Sequence, residues 1–106
     1  MNDVGEQAEQ TEQLANTMLQ QVYSLLARNN IIPNAVQEQM LTSHVRAMAH
    51  RFVTGEPLPE VEAELFDEIS PDSMRLAREV VAQFGNLPDE EAWLLSVHFE
   101  VAKDNL

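Results

Sequence analysis

Cysteine is absent from the 106 residues of this chain, which excludes disulfides, thiolate metal sites and thiol nucleophiles. The sequence also lacks the ~18–20 consecutive apolar residues that a membrane-spanning helix needs. Its N-terminus, Met-Asn-Asp-Val-Gly-Glu, is acidic and polar, whereas a secretory signal begins with basic residues followed by an apolar run. We therefore expect a cytoplasmic protein with no membrane segment.

Positive charge is also scarce. Six Lys and Arg residues face eighteen Asp and Glu residues, so the formal net charge is -12, and the cations are scattered rather than clustered. Nucleic acids and anionic membranes are bound mainly through Lys and Arg, and their phosphates repel an acidic surface. We therefore expect no direct binding to nucleic acid or membrane, and we attribute the acidity itself to solubility.

No alternation of period two is long enough to predict a strand, whereas apolar residues recur at helical spacing along most of the chain. Pro33, Gly55 and Gly85 mark breaks between these segments. The pattern predicts an all-α bundle of five helices, four long and one short, in a single domain over residues 7–106 with residues 1–6 disordered. The predicted helices cover about 7–28, 34–54, 60–69, 71–84 and 89–103.

The second helix places a histidine beside its buried stripe. At about 100° per residue, His44 and Arg51 fall together on one flank of that stripe, because a spacing of seven returns nearly to the same face. A buried imidazole needs a hydrogen-bond partner, so a lone histidine there is most often a satisfied core residue. The stripe itself consists of Leu41, Val45, Met48 and Phe52.

The last helix repeats this arrangement. His98 lies in the middle of its predicted apolar face, and Glu91 lies two turns earlier on the same side. Trp93 falls outside that face, and we expect it on a second packing surface that forms a dimer contact. The predicted apolar face consists of Leu94, Leu95, Val101 and Ala102.

The two histidine segments resemble a known module. Leu41-Thr-Ser-His44-Val-Arg-Ala-Met-Ala-His-Arg51-Phe-Val-Thr-Gly55 resembles the first histidine motif of the PTS regulation domain (PRD). That module occurs in bacterial antiterminators and activators controlled by the sugar phosphotransferase system (PTS). Leu87-Pro-Asp-Glu-Glu91-Ala-Trp-Leu-Leu-Ser-Val-His98 resembles its second motif, with the glutamate seven residues before the histidine.

The resemblance implies a helical bundle in which the second and last helices are antiparallel neighbours, so that His44 and His98 come close together. It implies that both histidines are phosphoacceptors, supplied by the phosphocarrier HPr or by an enzyme II B domain, and that the module forms a homodimer. Arg51 matches an arginine with a structural or phosphate-facing role. Glu91 matches a glutamate that orients a partner or caps a charge.

Two features depart from the family pattern. The residue before the first histidine is often acidic in the family and is Ser43 here. The family usually carries tandem copies joined to an RNA-binding or DNA-binding module, and this sequence has one copy and no such module. We therefore expect a stand-alone regulatory module that acts through protein contacts, with another regulator protein as a possible partner. The alternative is a helical dimerisation domain that is no longer phosphorylated and keeps only the fold.

An enzyme is the third reading, and the motifs disfavour it. The sequence has no glycine-rich phosphate loop and no serine or cysteine elbow. His44 and His50 are six apart and lie on different faces, and no H-x-x-x-H pair offers a zinc site. Acid–base work by His98 and Glu91 is conceivable, although such a pair on one helix is common by chance. We expect no catalytic residue, no metal site and no cofactor.

Overall fold

The computed structural model describes residues 4–85 and 87–103, which form four α-helices and one short 3-10 turn. The described residues contain no strand, which confirms the all-α class. Helix α1 begins inside the segment predicted to be disordered, whose first three residues lie outside the described part. The helices are α1 Val4–Arg28, α2 Ala35–Thr54, α3 Pro71–Phe84 and α4 Asp89–Lys103, with the 3-10 turn at Ala63–Phe66. None of these described helices is long and apolar enough to cross a membrane.

Local sequence signals set the ends of α2 and the start of α3. Asn34 accepts a hydrogen bond from the Gln37 backbone N–H at 2.9 Å, and the Gln37 side chain accepts one from the Asn34 N–H at 2.9 Å. This reciprocal capping box satisfies two backbone donors that the first turn leaves free. Gly55 ends α2 with a backbone φ of 76°, a conformation that residues with a Cβ atom rarely adopt. Ser70 caps α3, and Pro71 occupies its first turn.

The predicted fifth helix over residues 60–69 is wrong. Only Ala63–Phe66 of this segment is helical, as a single 3-10 turn, and its Leu65 is 71% exposed. Acidic residues explain the failure, because Glu60, Glu64 and Glu68 repeat at a spacing of four and would repel one another along an α-helix. Ten residues are also too few to form a stable helix without strong packing.

Phe66 is the residue through which this turn contacts the bundle. Its ring lies 5.8 Å from the ring of Trp93, measured between centroids. Trp93 is half-buried in this contact, and its indole N–H donates a hydrogen bond to Asp89 at 3.1 Å. Trp93 thus packs within its own chain, on a surface distinct from the core. The predicted role of Trp93 in a dimer contact stays a prediction.

The helices pack as two antiparallel pairs around one core. Helix α1 lies along α2, α3 lies along α4, and the contact between α2 and α4 joins the two pairs. The α2 stripe is confirmed for Leu41, Val45 and Met48, whereas Phe52 at its end is 37% exposed. The core consists of the buried apolar side chains Ala15, Met18, Val22, Leu25, Leu26, Ile31, Leu41, Val45, Met48, Ala49, Leu76, Ala77, Val80, Val81, Ala92, Leu95, Phe99 and Ala102.

The predicted apolar face of α4 is rotated relative to the observed one. Leu95 and Ala102 are buried as predicted, but Val101 is 49% exposed and Leu94 is only half-buried. Phe99, which the prediction omitted, is fully buried and is the largest such side chain. Because α4 carries apolar residues on several sides, its periodicity does not predict which side is buried. The packing of α4 against both α2 and α3 determines the buried side.

A polar cluster joins the start of α3 to the end of α4. Glu100 accepts hydrogen bonds from the hydroxyls of Ser73 at 2.7 Å and Ser70 at 2.8 Å. These hydrogen bonds lower the pKa of Glu100 to about 2, and the bond from Ser73 has the largest effect. Lys103 adds a hydrogen bond to Ser70 at 2.7 Å. The cluster satisfies the buried hydroxyl of Ser73 and fixes α4 relative to α3.

Phe99→Ala tests the observed face of α4. We expect it to lower the free energy of unfolding by about 3–5 kcal/mol, because it leaves a cavity in the core. Val101→Ala, two positions further along the same helix, changes a half-exposed side chain and is expected to cost no more than about 0.5 kcal/mol. Urea denaturation of the two variants measures both values. Equal destabilisation would contradict the observed orientation of α4.

Candidate functional site

Three contacts cross the seam between α2 and α4, which we define as the line along which these two helices touch. The Gln37 side chain donates to the Val101 carbonyl at 3.4 Å, His44 faces His98, and Arg51 pairs with Glu91. Residue numbers rise along α2 while those of their partners fall along α4, so the helices are antiparallel. This confirms the arrangement that the resemblance implied.

The two histidines form a ring pair at the middle of the seam. Their ring centroids lie 5.1 Å apart, and the ring planes are tilted by 40°. Both side chains are half-buried. The Nε2 atom of His44 is buried and has no hydrogen-bond partner among the described residues. The pair is therefore neither sealed in the core nor fully hydrogen-bonded, as two ordinary core histidines would be.

The surroundings of this ring pair keep both imidazoles neutral near pH 7. Burial lowers the pKa of His44 to about 4, and the nearby His98 and Arg51 add smaller effects in the same direction. Burial also lowers the pKa of His98. A neutral imidazole carries an unprotonated ring nitrogen, which is the form that attacks an electrophile or binds a metal ion.

Arg51 and Glu91 form the second polar contact of the seam. The Nε and Nη2 atoms of Arg51 each donate to one carboxylate oxygen of Glu91, at 2.7 Å and 2.7 Å. Glu91 is only 1% exposed and is fully buried with this single cation beside it. The hydrogen bonds to Glu91 raise the pKa of Arg51. The sequence singled out both residues but did not predict that they bind each other.

Exposed apolar side chains lie on both helices of the seam. Val36 is 63% and Met40 is 55% exposed on α2, and Val97 is 37% and Val101 is 49% exposed on α4. The pair itself lies in a shallow depression whose other lining residues are Gln39, Met40 and Ser43. We call these four apolar residues and the histidine pair the seam face. The helical spacing of the sequence places Met40 one turn before His44, close to the same flank of α2.

Two other basic side chains of α2 contact acidic ones. Arg46 forms an ion pair with Glu12 of α1. His50 lies 3.5 Å from Glu56 and is exposed on the opposite side of α2. A cleft of about 780 Å³ opens beside Arg51, with the 55–61 loop forming much of its wall.

Comparison with solved structures gives a match over the whole chain. A PRD-containing transcription regulator from Lactobacillus casei ATCC 334, whose crystal structure was determined at 1.38 Å, is 34% identical in sequence with a TM-score of 0.83. The match covers 100% of this chain and 99% of that chain. The chain belongs to the PRD family. No protein-family model matches the sequence, and no curated protein matches it.

The four predicted site residues of this PRD all lie at the seam between α2 and α4. His44 and His98 come together across the seam, and Arg51 and Glu91 come together seven residues further along α2 and seven residues earlier along α4. Since the two helices run in opposite directions, equal spacings place both pairs on the same seam. The four residues thus form two polar pairs about two helical turns apart along an otherwise apolar contact.

Arg51→Leu tests the buried ion pair of this PRD. The substitution leaves the Glu91 carboxylate buried without a cation, and we expect a loss of about 3–5 kcal/mol in the free energy of unfolding. The double variant Arg51→Leu/Glu91→Leu removes both charges and should recover much of that loss. Chemical denaturation of the wild type, the single and the double variant measures this. A double variant no more stable than the single one would refute the interpretation.

The lowered pKa of His44 predicts a specific pH dependence of stability. In the unfolded chain a histidine titrates near 6.5, so below that pH the unfolded state binds a proton that folded His44 rejects. The free energy of unfolding is therefore at its full value above about pH 6.5. It falls as the pH drops toward 4, by about 2 kcal/mol between pH 7.5 and 5.

Denaturation of His44→Gln at a series of pH values checks this prediction. The variant has no imidazole at position 44 and should show a clearly smaller loss of stability over that range. His50→Gln, which removes an exposed histidine from the same helix, serves as the control and should follow the wild type. A His44→Gln variant with the full wild-type pH dependence would rule out His44 as the cause.

Proposed function

We propose that this PRD is a regulatory module whose state is set by phosphorylation of His44 and His98 by the sugar phosphotransferase system. The observation that carries the proposal is the meeting of the two motif histidines at 5.1 Å, neutral and at an exposed face rather than apart in the core. The phosphoryl donor in the proposal is HPr or an enzyme II B domain. The chain is its substrate and not itself an enzyme.

The expected response follows from charge. A phosphoryl group adds about 1.5 to 2 negative charges at a contact that was neutral, in a chain of net charge -12. Arg51 is the cation closest along the seam, and it already neutralises the buried Glu91. Phosphorylation therefore raises the free energy of the present arrangement of α2 and α4. A bias of a few kcal/mol is enough to reverse a modest ratio between two conformations.

The output in this proposal is a protein contact. The seam face carries exposed apolar side chains on both helices, so a change in charge there alters what the face can bind. We propose that it serves a homodimer or a contact with another regulator protein, and that the chain takes part in transcription regulation, including antitermination, as its similarity to a transcription regulator suggests. The charge of -12 argues against direct contact with nucleic acid. The proposal places the chain in the cytoplasm.

Phosphotransfer from phosphoenolpyruvate through enzyme I and HPr tests the proposal. Wild-type protein should gain the mass of at least one phosphoryl group, attached through an acid-labile bond. Mass spectrometry at neutral pH detects this gain. His44→Gln and His98→Gln should each lose one modified site, and His44→Gln/His98→Gln should remain unmodified. His50→Gln should be modified like the wild type. Modification that persists in the double variant would refute the assignment of the sites.

The alternative is a PRD that keeps the fold and the interaction face but is not phosphorylated. The buried Nε2 atom of His44 favours it, because this atom is not accessible to a phosphoryl donor in the present arrangement of the helices. In that case HPr and the enzyme II B domains would all fail to modify the protein, while sedimentation would still show a dimer. Val97→Asp on the seam face would then weaken the dimer without any phosphotransfer components present.

A further inference from the structure

The cleft beside Arg51 has an apolar lining and shares no lining residue with the depression at the histidine pair. Its volume of about 780 Å³ lies within the range of about 300–1,000 Å³ that is typical of ligand sites. Phe52, the exposed end of the α2 stripe, lines the cleft. Leu58, Val61 and Leu87 also line it and are half-buried. Apolar surface of this kind favours an occupant that removes it from water.

The charges around this cleft are predominantly negative. Its charged lining residues are Arg51, Glu56, Glu60, Glu90 and Glu91. Arg51 and Glu91 bind each other, so their charges cancel. Glu56 lies 3.5 Å from His50 and contributes to the raised pKa of Arg51. Among the described residues, neither Glu60 nor Glu90 has an ion-pair partner. The cleft therefore combines an apolar lining with carboxylates that this chain leaves uncompensated.

We propose that this cleft binds a segment of a partner protein in which basic side chains alternate with apolar ones. The apolar side chains of the segment pack against Phe52 and Leu87, and its basic side chains meet Glu60 and Glu90. Burial of apolar surface supplies affinity, whereas the opposite charges select the partner and speed its association. Because Glu60 belongs to the loop and Glu90 to α4, an occupant with two basic groups fits better than a single small cation.

Prolines make the wall of this cleft stiff. Pro57 and Pro59 lie in the loop that follows α2, and Pro88 precedes α4. The pyrrolidine ring fixes the backbone φ angle of each, so these walls have less conformational freedom to lose when a partner binds. The lining is therefore partly preorganised for an extended segment.

Charge also decides against the other occupants. Residues 1–3, 86 and 104–106, which lie outside the described part, contain no Lys or Arg, so they do not supply the basic segment. A second copy of the chain carries a net charge of -12 and repels the first. Its cations Arg46, Arg75, Arg78 and Lys103 already contact acidic side chains of their own chain. Nucleic acid is repelled for the same reason. A different protein with a basic segment is the occupant that remains.

Fluorescence anisotropy of labelled peptides with the full chain tests the chemistry of the occupant. The probe is the peptide Leu-Arg-Pro-Leu-Arg-Leu, and the matched peptides are Leu-Glu-Pro-Leu-Glu-Leu, without basic groups, and Gly-Arg-Pro-Gly-Arg-Gly, without large apolar ones. The probe should bind at least about tenfold more tightly than either, because only it offers both features. Equal binding of all three peptides, or no binding of the probe up to about 1 mM, would overturn the proposal.

Variants of exposed carboxylates locate the binding site. Glu60→Gln/Glu90→Gln should weaken binding of the probe about three- to tenfold, since each exposed ion pair contributes at most about fivefold in affinity. Glu38→Gln/Glu79→Gln is the matched control, because it removes two exposed carboxylates outside the cleft and changes the net charge equally. Its affinity should stay within about twofold of wild type. Equal losses in the two double variants would show that binding follows the overall charge, contrary to the proposal.

Nuclear magnetic resonance of the wild-type chain provides a readout that does not depend on variant folding. The probe peptide should shift the amide resonances of Phe52, Val61 and Leu87 and leave those of Val36 and Val101 on the seam face in place. Shifts confined to the seam face, or no shifts, would refute the site. The unphosphorylated protein suffices for these measurements. A failure of phosphotransfer therefore leaves this inference standing, and a failure of peptide binding leaves the phosphorylation proposal standing.

Discussion

The antiparallel contact between α2 and α4 is the constraint on which the rest of this structure depends. It is the largest contact between the α1–α2 pair and the α3–α4 pair, and it brings together four residues that lie far apart in the sequence. A spacing of seven on each helix, read in opposite directions, aligns His44 with His98 and Arg51 with Glu91. Sliding one helix by a single turn would separate both pairs at once.

The Arg51–Glu91 ion pair makes that alignment costly to change. A buried ion pair adds little net stability compared with apolar residues, but a carboxylate that is 1% exposed cannot lose its cation without a large penalty. Any sliding of α2 along α4 would leave Glu91 unpaired. The ion pair therefore contributes less to the stability of the contact between α2 and α4 than to its register. That register also holds the two histidines, seven residues away on each helix, opposite one another.

The histidine pair, at the middle of the same seam, has the opposite character. Its rings are half-buried, neutral and incompletely hydrogen-bonded, and exposed apolar side chains lie on both helices of the seam. Such a site can change its charge without unfolding the core, because the histidines are not among the fully buried side chains. A rigid ion pair beside an adaptable imidazole pair is an arrangement suited to regulation.

The sequence by itself determined the helical class and the capping of α2 and α3, because these depend on local periodicity and local hydrogen bonds. The resemblance of two segments to PRD motifs singled out His44 and His98. Only the tertiary structure decided that Phe99 rather than Val101 is buried and that residues 60–69 form a single 3-10 turn. It alone paired Arg51 with Glu91, since a partner on another helix leaves no trace in the spacing of either one. Periodicity describes one helix at a time, whereas burial and pairing depend on which neighbours that helix meets.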